Sequence, residues 1–216
     1  MRQDELPQWM ADSHPETVRQ RIKATSGVYK IPEALLTSKE IRHPPAAILY
    51  GILLGMSSQY ERLFVGNEKL MELLGVRSTN SITKYLKELA AGGFVSLSYR
   101  STGRRTERQI KLICIPRVGS YLSIPAETIK DKKLTALQQL IIGCIYSMLW
   151  KYKTLMVSTD AGEIGQTLGQ PTKTIRNNIS ILIREGYLKR ASPQQLTINL
   201  NNYELEEVVK FEEVWY

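Results

Sequence analysis

Two stretches of this chain collect side chains suited to hydrogen bonding with a polyanion. From 172 to 180 they are Thr172, Lys173, Thr174, Arg176, Asn177 and Ser180. From 77 to 87 they are Arg77, Ser78, Thr79, Asn80, Ser81, Thr83, Lys84 and Lys87. All are small donors, amides or cations, and no carboxylate interrupts either set before Glu88 and Glu185. A generic solvated helix mixes signs, so the missing acids point to a surface that meets negative charge. Arg and Lys donate to phosphate oxygens and to guanine, Asn pairs with adenine, and Ser or Thr bonds to either. A third basic set is Arg100, Arg104, Arg105 and Arg108, opposed only by Glu107; a weaker fourth is Lys189 and Arg190. Cations on a hairpin suit the phosphate backbone or an adjacent minor groove.

Other chemistry is poorly supplied. His14 and His43 are the only histidines, and neither stands near a cysteine or carboxylate at ligand spacing, so no metal site is expected. Tyr85 or Tyr99 could be imagined as a nicking nucleophile, but such enzymes hold a metal with clustered histidines. No Gly-rich phosphate loop and no Ser-His-Asp arrangement stands out. The expectation is a non-enzymatic protein without a cofactor. Cys114 and Cys144 sit in apolar runs and read as reduced core residues of a cytoplasmic protein. There is no apolar run of about 18 residues, and the start MRQDELPQWM lacks a signal-peptide core.

The net charge of +8 is unevenly distributed. Residues 1–26 balance four cations against four acids, while 201–216 carry five Glu and one Lys. A basic body between neutral and acidic ends fits a polyanionic partner.

The elements that must position these residues are written twice. LLGVRSTNSITKYLKELAAGGFV (73–95) is echoed by TLGQPTKTIRNNISILIREGYL (167–188). Each copy reads as a helix end with Gly, a short turn, a second amphipathic helix, and Gly-aromatic-aliphatic opening a strand. Such self-similarity over a whole domain is the mark of a duplicated unit. Gly75 and Gly169 are expected to end the first helices in the left-handed conformation. The second helices are expected near 80–91 and 172–185. Ile82, Leu86 and Leu89 in one match Ile175, Ile179 and Leu182 in the other, as core faces. The turn after Gly75 carries one residue more than the turn after Gly169. Hairpins follow: 94–99 with 109–115, and 187–190 with 195–200. Upstream, VYKI (28–31) and YLSI (121–124) read as short strands, each followed by an apolar helix. Thr135 is expected to cap the second of these helices. Beyond their core stripes, Tyr50 and Leu54 in one and Ile142, Tyr146 and Trp150 in the other line the opposite face. A helix apolar on both sides wants two partners, so these faces should pack the units together or form a homodimer.

The chain therefore divides into an arm (1–26), a first unit (27–115), a linker (116–120), a second unit (121–200) and an acidic tail (201–216). The expected fold class is mainly α with small β wings, an α+β arrangement of two tandem winged helix-turn-helix domains. In the tail, Leu205, Val208, Val209 and Phe211 fall near helical spacing and suggest a docking element.

With Ile31-Pro32-Glu33-Ala34-Leu35 and Leu49-Tyr50-Gly51 in place, the first unit resembles the helix-turn-helix domains at the front of bacterial plasmid replication initiators and phage replication proteins. The tandem arrangement, over about residues 28–200, is similar to the two winged-helix domains of iteron-binding plasmid initiators. The resemblance implies origin or operator DNA as the ligand and replication or transcription machinery as further partners. The expected function is sequence-specific binding of double-stranded DNA in a plasmid, phage or other mobile element, most naturally at a replication origin. A transcriptional regulator on operator DNA is the alternative, and a protein-interaction scaffold the third.

Overall fold

The structure, a computed structural model, describes residues 27–57, 62–101, 106–113, 120–152, 156–192 and 195–198. The arm, the tail, most of the linker, Cys114, and Arg104 and Arg105 lie outside them. The first unit runs β1 (Val28–Pro32), α1 (Glu33–Leu36), α2 (Pro44–Ser57), β2 (Leu63–Phe64), α3 (Asn67–Leu74), α4 (Thr79–Ala91), β3 (Val95–Ser101) and β4 (Thr106–Leu112). The second repeats that order: β5 (Tyr121–Pro125), α5 (Ala126–Lys130), α6 (Ala136–Tyr152), β6 (Val157–Ser158), α7 (Ala161–Leu168), α8 (Thr172–Arg184), β7 (Leu188–Ser192) and β8 (Gln195–Ile198).

The expectation of a mainly helical chain with small wings is corrected here. Over the described residues the molecule is an α/β mix, 54% helical and 23% strand, with three small sheets. Strand is not confined to hairpins. β2 and β6 add a third strand to each, giving the orders β2-β4-β3 and β6-β8-β7. Two residues are too few to show alternation in sequence, which is why these strands went unread. The third sheet pairs β1 with β5. In sequence each reads only as a short strand, because its partner belongs to the other unit.

That third sheet joins the units with local two-fold symmetry. The strands are antiparallel, and Lys30 lies opposite Ser123, its own counterpart 93 residues on. The flanking backbone bonds obey the same symmetry. The N–H of Glu33 donates to the carbonyl of Ser120, and that of Ala126 to the carbonyl of Gly27, both at 3.0 Å. Helices α2 and α6 lie close over the sheet and touch each other. Gly51 and Gly143 permit this approach: a Cβ would come within 3.0 Å of Ile31 Cγ1 at the first, and within 2.6 Å of Ile124 Cγ1 at the second. Crosswise, α1 touches α7 and α5 touches α3. One continuous apolar core results, running from Ile31 through Ile142 to Ile198.

Within each unit the local rules operate as sequence suggests. Thr135 and Gln138 form a reciprocal cap: the Thr135 N–H donates to Gln138 Oε1 at 2.8 Å, and the Gln138 N–H to Thr135 Oγ1 at 3.4 Å. Ile82, Leu86 and Leu89, and Ile175, Ile179 and Leu182, are all buried. Each such aliphatic side chain contributes about 1.5–3 kcal/mol. Gly75 and Gly169 close α3 and α7 with φ of 69° and 61°. Cys144 is buried in α6, and burial pushes its thiol well above the ordinary range.

The apolar second faces of α2 and α6 are covered within the single chain in most places. Tyr50 and Ile142 are fully buried, Tyr146 is buried and Leu54 half-buried, while Trp150 keeps 46% of its surface exposed. Tyr50 meets Phe94 of its own unit edge-on, with ring centroids 5.9 Å apart. It therefore serves the first unit's own core.

Candidate nucleic-acid interface

Helices α4 and α8 owe their orientation to one buried stripe each, so their remaining faces point outward. On α4 and the turn before it, Arg77, Ser78, Thr79, Asn80, Lys84 and Lys87 are exposed, while Ser81 and Thr83 are half-buried. On α8, Thr172, Lys173, Arg176, Asn177 and Ser180 are exposed, and Thr174 is half-buried. The structure thus gathers most of each set on one outward side, from the turn before the helix to just past its middle. Some hydroxyls are already engaged. Ser78 caps α4 by accepting from the Asn80 N–H at 3.2 Å. Thr83 donates to the Thr79 carbonyl at 3.1 Å, and Ser180 to the Arg176 carbonyl at 3.0 Å. Lys173 and Arg176 make no side-chain hydrogen bond or ion pair among the described residues.

The turns into these helices differ. In the second unit, the Asp160 carboxylate starts α7 by accepting from the N–H groups of Gly162 and Glu163 at 2.6 and 2.9 Å. The chain then doubles back so tightly that a Cβ on Gly165 would lie 2.7 Å from the Gln170 carbonyl oxygen. The Gln170 N–H donates to the Gly165 carbonyl at 2.9 Å; in the first unit the Val76 N–H donates to the Met71 carbonyl at 3.1 Å. Met71 thus stands where the second unit has Gly165. The longer turn, 75–78, gives it room.

The hairpins differ as well. β3 and β4 pair over seven residues each, with Arg100 opposite Glu107 and Tyr99 opposite Arg108. Both strands reach nearer the tip than the sequence pattern suggested. Arg100 is exposed. Arg108, expected among the phosphate contacts, instead turns inward. Its Nη1 donates to Asn67 Oδ1 at 2.7 Å and its Nη2 to the Val65 carbonyl at 3.2 Å. Burial lowers its affinity for its proton, and its Nε is buried without a partner among the described residues. Arg108 fastens the start of α3 to the hairpin. The second hairpin is shorter, with an irregularity between Arg190 and Ser192, and exposes Lys189 and Arg190.

Sequence reasoning missed two features. Phe64 and Tyr99, 56% and 67% exposed, stand with Thr79 and Arg108 around a groove of about 630 Å³. Alternation along β3 puts Tyr99 on the face of Val95 and Leu97, so the pattern hides its exposure, and nothing in a two-residue strand flags Phe64. The second feature is a groove of about 610 Å³ beside α4, which brings Arg42 and His43 to Lys84, Lys87 and Glu88. In sequence His43 belongs to no cluster at metal-ligand spacing. In the fold its Nδ1 bonds to Glu88.

Among the described residues no group of three or more His, Cys, Asp or Glu is placed to hold a metal ion, and no helix is long and apolar enough to cross a membrane. No protein-family model matches the chain, and no curated protein matches it.

Proposed function

We propose that this protein binds double-stranded DNA sequence-specifically and without enzymatic activity, using α4 and α8 as its groove-reading helices. A helix that follows a tight turn from a packed helix, with its N-terminal residues exposed, suits entry into the major groove. The observation that carries this reading is the pair of exposed, carboxylate-free faces on α4 and α8, presented by units related through the β1–β5 sheet. Arg100, Lys189 and Arg190 on the hairpins supply phosphate contacts, as do Arg104 and Arg105 by sequence. With about six phosphates neutralised, the log-log salt slope is near −5.

Two-fold related units with unlike reading helices favour a target of two unlike half-sites in inverted orientation. Centres about 10 base pairs apart, or a multiple of that, match helical phasing. The resemblance to plasmid and phage initiators favours a replication origin of a mobile element; an operator-binding regulator would make the same DNA contacts and differ only in its protein partners.

Selection of bound fragments from random duplex DNA tests the reading. Enrichment of a bipartite motif with different halves is the expected result. Absence of any enriched motif, together with no retention of long DNA at low salt, would overturn it.

A further inference from the structure

The groove beside α4 contains a three-residue relay that the DNA-reading face does not by itself require. The Glu88 carboxylate is held against the segment entering α2: its Oε2 accepts from the backbone N–H groups of Arg42 and His43, both at 3.2 Å. Its Oε1 meets His43 Nδ1. On the other side of the ring, Lys84 Nζ lies 2.9 Å from His43 Nε2. One arrangement satisfies all of these: a neutral imidazole whose Nδ1–H donates to Glu88 and whose Nε2 accepts from the Lys84 ammonium. The Tyr85 ring lies alongside, its centroid 6.0 Å from that of the imidazole. His43 is thus part-buried and oriented from two sides, yet opens on a groove shared with Arg42, Lys87 and Asn80.

We infer that this groove is a phosphate-binding site in which His43 takes up a proton as the phosphate arrives. The inference rests on the DNA-binding reading and deepens it.

Charge balance supplies the reason. Arg42, Lys84 and Lys87 oppose a further positive charge on the ring, while among the described lining residues Glu88 and Glu40 favour it. A phosphate reverses that balance, because the imidazolium then lies between the Glu88 carboxylate and the incoming anion. The proton comes from solvent and adds to Nε2. Nε2 ceases to accept from Lys84 and becomes a donor to a phosphate oxygen. The Lys84 ammonium, freed from the ring, turns to the same anion. Proton uptake therefore converts one cation engaged with the protein into two donors for phosphate. Binding linked to the uptake of one proton weakens as pH rises, by up to about tenfold per pH unit.

The same chemistry fits a phosphate in a duplex backbone or a free one, and two measurements on the full chain separate them. In the first, affinity for long duplex DNA is followed from about pH 6 to about pH 8, for the wild type and His43→Gln. The expected result is a steep loss with rising pH for the wild type and a much flatter profile for the variant, with thermal unfolding showing the variant folded. Equal pH profiles overturn the inference. In the second, the His43 ring resonances of the wild type are titrated by NMR with and without inorganic phosphate. An upward move of the titration midpoint with phosphate supports the site and shows that it takes the free anion. An unmoved midpoint beside a pH-dependent, His43-dependent duplex affinity assigns the site to backbone phosphate. If no duplex binds at any pH, the proposed function fails, and the NMR titration still decides the groove: a midpoint unmoved by phosphate then overturns it.

Discussion

The first unit surrounds the outward face of α4 with partners, and the second leaves the outward face of α8 bare. On α4, Ser78 caps the start, Lys84 reaches His43, and Glu88 ties the helix to the segment before α2. On α8, Pro171 precedes the first turn without a side-chain cap, and Lys173 and Arg176 stand in solvent. The turns reverse that contrast: the one before α8 is so tight that only Gly fits at 165, while the one before α4 has an extra residue and accommodates Met71. The buried stripes nevertheless correspond position by position, 93 residues apart. The two units share what holds each together and differ in what each can touch. Residues that fill a core answer to packing from every side, whereas outward residues answer only to what binds them.

The largest expected effect tests the conserved side of this contrast. Ile82→Ala and Ile175→Ala each empty a fully buried site, and each should lose about 2–5 kcal/mol in denaturant unfolding. Similar losses are expected, since the two positions are equivalent. A near-neutral result at either one would show that the cores are not equivalent. The turns come next. Gly165→Ala places a methyl against the Gln170 carbonyl and should cost about 1–3 kcal/mol. Met71→Ala removes a half-buried side chain from the roomier turn and should cost less in the same assay. The opposite order would remove the structural reason for Gly165.

Surface residues sharpen the comparison in binding. Lys173→Ala and Arg176→Ala should each weaken binding to a selected DNA site by about 1–3 kcal/mol where they meet a base, and relax specificity there. Competition assays with altered sites read this directly, and a uniform loss across all sequences would demote the residue to a phosphate contact. The smallest effect is expected at Arg100→Ala on the long hairpin, where Glu107 lies opposite. Binding should fall alike for all sequences and the salt slope should flatten by about one. Lost discrimination with an unchanged slope would place Arg100 on a base instead.

Much of the fold was legible from local patterns. Helices α4 and α8 announced themselves by apolar residues three and four apart, and their C-terminal neighbours Gly93 and Gly186 adopt the positive φ that Gly permits. The exposed candidates on both helices followed by subtraction from the core stripe. Arg108 did not: its charge resembled that of Arg100, and only the position of Asn67 shows that it turns inward. His43 was missed for the same kind of reason, since its carboxylate lies 45 residues away.

What the chain by itself determined is the duplication, the helix faces, the glycine-ended turns and the basic, acid-free surfaces. Each depends on residues within a turn or two of one another, where periodicity of 3.6 or 2 leaves a readable trace. Tertiary structure alone decided that β1 joins β5 about a local two-fold axis, that two-residue strands complete each sheet, and which cations face outward and which hold the protein together. These outcomes pair residues tens of positions apart. The pairing depends on how whole faces pack and on how buried polar groups find partners, and no local pattern encodes it.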